Sequence, residues 1–367
     1  MFGTQVLRLK SLGRVTIAGL LLGTLLLPGG VGAQRLPRSQ VSDLIRQGRE
    51  RWQNNDLAGA IAAYRQAVTL EPKNASLLVS LGFLLTQQES YGEALRHFEQ
   101  ALSLDGRNVR AHMARGFTAA KLQQFPLAIQ SYERAIQLDR RNLDAYYGLA
   151  YALTKAERIP QAQRVYRQIM GIAPRDVRAY LHLSYVLQQQ DKLREASEVL
   201  LKADRIAPLN ADVWFAIASA LAAEGKTDEA LEKYQRAVSL NPRHAEANQG
   251  IGEILQQQGN FSEAISAYRR AAAVRRDDSQ VHWLIARLYL EQNSLAGAIV
   301  SFRQILSIDP NDADAHLALG DALRQQQRWA EARQSLERAA VLFRQRNNAE
   351  GIGRVQQLLQ QFPPPRP

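Results

Sequence analysis

The chain has 367 residues, no cysteine and a formal net charge of +11. The missing cysteines exclude structural disulfides, metal–thiolate sites, catalytic thiols and a lipid attached at an N-terminal Cys, so an exported form would be stabilised by packing alone. The charges are interspersed rather than clustered, which argues against nucleic acid and for weak attraction to anionic surfaces.

Ala, Leu, Gln and Arg are abundant and β-branched runs are few, which predicts an all-α chain. The N-terminus opens on a basic leader without acids, Arg8, Lys10 and Arg14. An apolar run over 15–27 follows, then Pro28-Gly29-Gly30 and the small pair Val31 and Ala33. This order reads as a secretory signal peptide over 1–33, cleaved after Ala33. The alternative is an uncleaved membrane anchor, against which stands a run shorter than the ~20 residues of a span. Membrane contact is therefore expected only through this segment before cleavage. Residues 34–40 form a polar lead-in.

From Val41 the chain keeps a 34-residue clock. The twentieth position of nine successive frames is Ala60, Ala94, Ala128, Ala162, Ala196, Ala230, Ala264, Ala298 and Ala332. The twenty-fourth position is Tyr, Phe or Leu, from Tyr64 to Leu336, and the twenty-seventh is Ala or Ile, from Ala67 to Ala339. The eighth holds only Gly, Ala or Ser, from Gly48 to Gly320, and Pro closes five frames. Steps of four and three, as in Ala264, Tyr268 and Ala271, place these side chains on one helical face. Each frame predicts two helices joined by a polar turn such as "EGKT". Pro126 and Pro160 sit at second-helix starts, where a missing N–H costs nothing. Small residues at positions eight and twenty let the paired helices approach closely, and the aromatic fills the space beyond. One pair cannot bury its apolar faces alone, so each must lean on the next.

These residues resemble the tetratricopeptide repeat family over 41–346, nine tandem repeats. Departures are mild: the early aromatic is Tyr146, Tyr180 and Trp214 in three frames but Leu44, Leu78 and His112 in others. The resemblance implies an α-solenoid, a right-handed superhelix whose first helices line a concave groove. Residues 347–362 read as a capping helix with Ile352, Val355 and Leu358 or Leu359 facing inward. Residues 363–367, "PPPRP", end regular structure.

No active site emerges, and no cofactor or metal is expected. The six histidines form no His-Glu-x-x-His helix or other metal pair, and most read as ordinary repeat surface. "DPNDADAH" at 309–316 lacks the Gly and closing Glu of a calcium loop and reads as an inter-repeat turn. The paired glycines at 250–252 and 351–353 lack a third Gly and a preceding strand. The basic stretch "RRAAAVRRDD" reads as a solvated face.

The groove implied by the resemblance would be faced by the second, fifth, ninth and twelfth positions. The ninth reads Phe83, Phe117, Tyr151 and Tyr185; the fifth reads Met113, Tyr147, Leu181 and Phe215 over frames three to six. Residues four apart on a helix are neighbours, so these form an apolar and aromatic strip. It is either a partner-binding surface or packing between adjacent helices. Arg110, Asp144, Arg178 and Asp212 alternate in charge beside it, with Arg110 and Arg178 counted among the partner-binding residues. The Lys, Arg and Asn pattern with which some family members clamp a C-terminal carboxylate is absent, since the fifth and ninth positions of the first three frames are Ile45, Arg49, Val79, Phe83, Met113 and Phe117. The expectation is a non-catalytic exported scaffold of a bacterial envelope that binds a protein or peptide segment. The alternative is a binder of glycan or cell-wall polymer using the same rings.

Overall fold

The computed structural model describes residues 35–363, and the leader and the last prolines fall outside them. Every regular element among the described residues is an α-helix. The first four pairs are α1 (Arg35–Gln53) and α2 (Leu57–Leu70), α3 (Ala75–Gln87) and α4 (Tyr91–Leu104), α5 (Val109–Lys121) and α6 (Phe125–Leu138), and α7 (Leu143–Lys155) and α8 (Ile159–Ile172). Next come α9 (Val177–Gln188) and α10 (Leu193–Ile206), α11 (Ala211–Ala223) and α12 (Thr227–Leu240), and α13 (Ala245–Gln257) and α14 (Phe261–Val274). The last are α15 (Ser279–Glu291) and α16 (Leu295–Ile308), α17 (Ala313–Gln325) and α18 (Trp329–Gln345), then the single α19 (Ala349–Leu359). Residues 35–40, read from sequence as a lead-in, belong to α1; Pro37 falls in its first turn, where a helix tolerates proline. The chain falls into two compact units divided within α9, between Ala179 and Tyr180. None of the described helices is long and apolar enough to cross a membrane.

Each helix pair is built by the periodic residues. All nine alanines at position twenty have no exposed surface, and neither does any residue at position twenty-seven. The aromatic at position twenty-four does not sit beyond the close contact; it lies directly over the small residue at position eight of its own pair. A Cβ added to Gly82 would stand 2.7 Å from the Phe98 ring, and one on Gly252 would stand 2.7 Å from Tyr268. The ring of Tyr132 also meets Gly148 of the following pair, and Tyr234 meets Gly250. One ring thus seals two joints, which is why the pair needs its neighbour.

The turns inside the pairs end the first helix with a residue in the left-handed region. Gly225 and Gly259 supply it at φ 79° and 78°, but Glu89, Gln123, Glu157 and Asp191 adopt it too, at φ 57–64°. The following N–H then bonds five residues back, Ser90 to Leu85 (2.9 Å) and Gln124 to Ala119 (2.8 Å), closing the helix C-terminus. First helices begin on side-chain caps: Asn108 accepts from the Ala111 N–H at 3.0 Å and Asp312 from Ala315 at 2.9 Å. The segment 309–316 is therefore the inter-repeat turn, 309–312, running into the first turn of α17.

At the C-terminal end, α19 packs on α18 and α17. Val355 is buried, and Ile352, Leu358 and Leu359 pack partly buried against the core cluster that includes Leu336 and Phe343. Phe362 continues the seal against Trp329, ring centroids 5.4 Å apart.

Candidate functional site: the first-helix face

Successive first helices touch one another directly, α3 with α5 and α5 with α7 in the N-terminal unit, α11 with α13 and α17 with α19 in the C-terminal unit. Positions two, five, nine and twelve of α3, α5 and α7 therefore form one continuous face in the N-terminal unit, while in the C-terminal unit, among the described residues, contact is made within the pairs α11–α13 and α17–α19.

In the N-terminal unit the predicted residues divide. Phe83 is 8% exposed, its ring edge-on to Trp52 at 6.1 Å. Tyr147 is 4% exposed. The Arg178 guanidinium lies 4.7 Å from its ring centroid. Arg178 is in turn held by Asp176, Nε to Oδ1 at 2.9 Å and Nη2 to Oδ2 at 2.6 Å. Burial, reinforced by the Asp176 carboxylate, pushes the Tyr147 phenol well above its ordinary value. Burial pushes the Asp176 carboxyl up as well, yet the bonds from Arg178 outweigh it and hold that carboxyl below the usual range. Phe83, Tyr147 and Arg178 are thus engaged in packing. Met113, Phe117 and Tyr151 are half-buried and Arg110 is exposed. Lys121 Nζ stands 5.4 Å from the centroid of Phe117, and Lys155 Nζ 5.9 Å from that of Tyr151. The two pairs repeat at the same register on touching helices. Sequence reasoning passed over these lysines, although their place four residues after each ring was the available signal.

In the C-terminal unit, Leu181 is half-buried against Leu200, Ala216 and Ala220. Tyr185 is half-buried, and burial raises its phenol. Phe215 packs on Tyr234 (5.8 Å) and His244 (4.9 Å). From α13 onward the face mixes apolar residues, Trp283 packed on Phe302, buried Leu317 and exposed Leu290, with polar groups that pair locally. Arg275 bonds Glu246, and Gln249 donates to Glu253 at 3.1 Å. Arg287 pairs with Glu291 at 3.5 Å and Arg324 with Asp321 at 2.6 Å. The stretch 269–278 is less solvated than its sequence suggests, since Arg270 reaches the buried Asn248 at 2.7 Å and Arg275 lies across α13.

Two of the six histidines, most of which the sequence suggests as repeat surface, are interior. His244 is 7% exposed and replaces the usual Asn or Asp cap: its Nδ1 accepts the Ala247 N–H at 3.1 Å while Nε2 donates to Asp212 at 3.2 Å. That bond holds the Asp212 carboxyl below its ordinary range. Buried His112 bonds the Gly106 carbonyl through Nε2 at 3.1 Å, and burial lowers its pKa. His316 does the same to Pro310, Trp214 Nε1 to Pro208 and Asn248 Nδ2 to Pro242. All four occupy position four, so the varied "early aromatic" is partly a donor that ties the helix to the turn before it. Among the described residues no group of three or more His, Asp or Glu is placed to hold a metal.

Two-helix repeats that seal against their neighbours within each unit define a helical-repeat solenoid. Family models described as tetratricopeptide repeats match residues 45–108, 153–220, 221–288 and 289–352, and a further TPR repeat model matches 119–156. The chain belongs to the tetratricopeptide repeat family. Among solved structures, a tetratricopeptide repeat protein of Parabacteroides merdae is similar at 18% identity, over 69% of this chain and 99% of that one, with a TM-score of 0.55. Human IFIT1, solved as a dimer with PPP-AAAA, is similar at 16% identity over 89% and 84%, with a TM-score of 0.50. YrrB, described as a TPR protein with an unusual peptide-binding site, matches at 22% identity over 50% and 95%, with a TM-score of 0.41. At these identities the likeness is one of fold. No curated protein matches the sequence.

Proposed function

We propose that this chain is a non-catalytic scaffold of a bacterial cell envelope, exported by its leader, which captures a segment of a partner protein on the first-helix face and serves the assembly of a complex. The observation that carries this reading is the pair of half-open rings, Phe117 and Tyr151, at one register on the touching helices α5 and α7. Phe83 at the same register is closed by Trp52, so the fold is able to cover such a ring and leaves these two uncovered. Open apolar surface next to more of the same, here Met113, suits protein recognition, and Phe and Tyr give large contact area for little entropy lost. Leu181 and Tyr185 offer half-buried area of the same kind in the C-terminal unit.

The test is photo-crosslinking from Phe117 and Tyr151 positions carrying a benzophenone side chain, in intact cells. A discrete crosslinked protein, lost when the other ring is replaced by Ala, is the expected result; no crosslink from either position removes the face from consideration. Half-open rings and positive charge also suit a sugar polymer, and a crosslinked species that disappears on glycan digestion selects that reading. Export is tested by the N-terminal residue of the chain recovered from periplasm, expected to be Gln34. A full-length chain confined to the cytosol removes the envelope from the proposal.

A further inference from the structure

The charge on this face carries information that the rings alone do not. Lys121 and Lys155 each occupy the thirteenth position of their repeat, at the last turn of α5 and α7. Each ammonium lies over a half-buried ring, and neither has a carboxylate within ion-pair distance among the described residues. A base in a helix's last turn offsets the helix dipole, but the fold does not require one here: α3, α11, α13 and α15 end without any. At the other end of the same two helices Arg110 and Asp144 carry opposite signs. The C-terminal rim of this face is therefore locally cationic. In the C-terminal unit several first-helix charges are held by neighbours, Glu246 by Arg275 at the end of α14 and Asp321 by Arg324.

Resting on the reading above, we infer that the occupant of this face is an acidic, apolar protein segment whose carboxylates meet Lys121 and Lys155 while an apolar side chain lies against Phe117 and Tyr151. The spacing sets the pattern. Touching helices lie about 10 Å apart, so the two ammonium groups are separated by roughly that distance. In an extended strand side chains alternate, and residues three apart point to opposite faces. A polyproline II segment has three residues per turn and rises about 3.1 Å per residue, which brings carboxylates three apart to one side at roughly 9 Å. An α-helix meets the same gap only with acids about seven apart, so the shorter match is a polyproline II stretch of the form acid-x-x-acid with an apolar residue between or beside the acids. A carboxylate beside an ammonium that already sits on a ring adds attraction without displacing the ring contact.

The experiment is selection of random-sequence peptides, displayed on phage, against the full chain. The expected result is enrichment of sequences with Asp or Glu three apart beside an apolar residue. A synthetic peptide of the enriched sequence should lose about tenfold or more in affinity for K121E/K155E, the sum of two exposed charge contacts reversed, and should weaken with salt. Circular dichroism of that variant should match the parent, since both lysines are exposed. Enriched peptides without acids, or an affinity unchanged in K121E/K155E, overturn the inference. If such acid-free peptides still lose binding in Phe117→Ala, the face remains a binding surface and only its charge preference falls. If nothing is enriched, both readings fall together.

Discussion

The two units share one skeleton and present different faces. In each, a position-twenty Ala and a position-twenty-four ring lock the pair, as Ala128 and Tyr132 do in the N-terminal unit and Ala264 and Tyr268 in the C-terminal one. The first-helix positions then diverge. In the N-terminal unit they carry Met113, Phe117 and Tyr151 with unpaired lysines beside them. From α13 onward in the C-terminal unit the polar ones, Glu246, Gln249, Glu253, Arg287 and Asp321, are tied into local pairs, and the one ring, Trp283, is packed on Phe302. A face whose polar groups satisfy one another has little to gain from a partner; a face with half-open rings and unpaired cations gains by covering them. Repetition of the skeleton leaves the face positions free to vary, because a solenoid's stability is a sum over neighbouring joints.

The largest expected effect tests the shared skeleton. Ala128→Leu and Ala264→Leu each overpack a fully buried helix crossing and should each cost about 1–3 kcal/mol, read from urea unfolding. A cost in one unit alone would break the claim that both are locked in the same way.

The next effect is alkaline. Burial raises the phenols of Tyr132 and Tyr234 well above their ordinary value, and that of Tyr166 to about 12. A group whose folded pKa is raised gives its full stability below the unfolded value, about 10 for Tyr. That contribution is lost as pH climbs from there toward the folded value, because the native chain holds protons that the unfolded chain releases. Urea midpoints should therefore fall above pH 10 in both units. Tyr132→Phe and Tyr234→Phe should each flatten the fall, as Phe98 and Phe302 already occupy that position elsewhere. A parent midpoint that is level across this range contradicts the burial.

The smallest effect separates the faces. Glu246→Gln breaks a half-exposed pair with Arg275 and should cost up to about 1 kcal/mol. Lys121→Gln breaks no ion pair and should leave the unfolding midpoint in place. Equal costs would erase the contrast between a self-paired face and an open one.

Much of the fold was legible in the sequence because a joint repeated nine times announces itself by period. The nine alanines from Ala60 to Ala332 and the residues from Ala67 to Ala339 could be assigned to the core without coordinates, and all are fully buried. The candidate face was only partly legible. Phe83 and Phe117 share a register and a residue type, yet the first is closed by Trp52 and the second is half-open under Lys121. Likewise most histidines read as repeat surface, though His244 stands where other repeats place Asn or Asp and caps α13 from a buried position.

The sequence by itself determined the helical class, the 34-residue period, the small close-contact positions and the absence of the carboxylate clamp, because each is a matter of residue type at a fixed spacing on one helix or within one pair. Tertiary structure alone decided which rings stay open, which cations lack a partner and which polar side chains tie a helix to its preceding turn. Those outcomes depend on what the neighbouring repeat brings to the same point, and a neighbour 34 residues away leaves no mark in the local pattern.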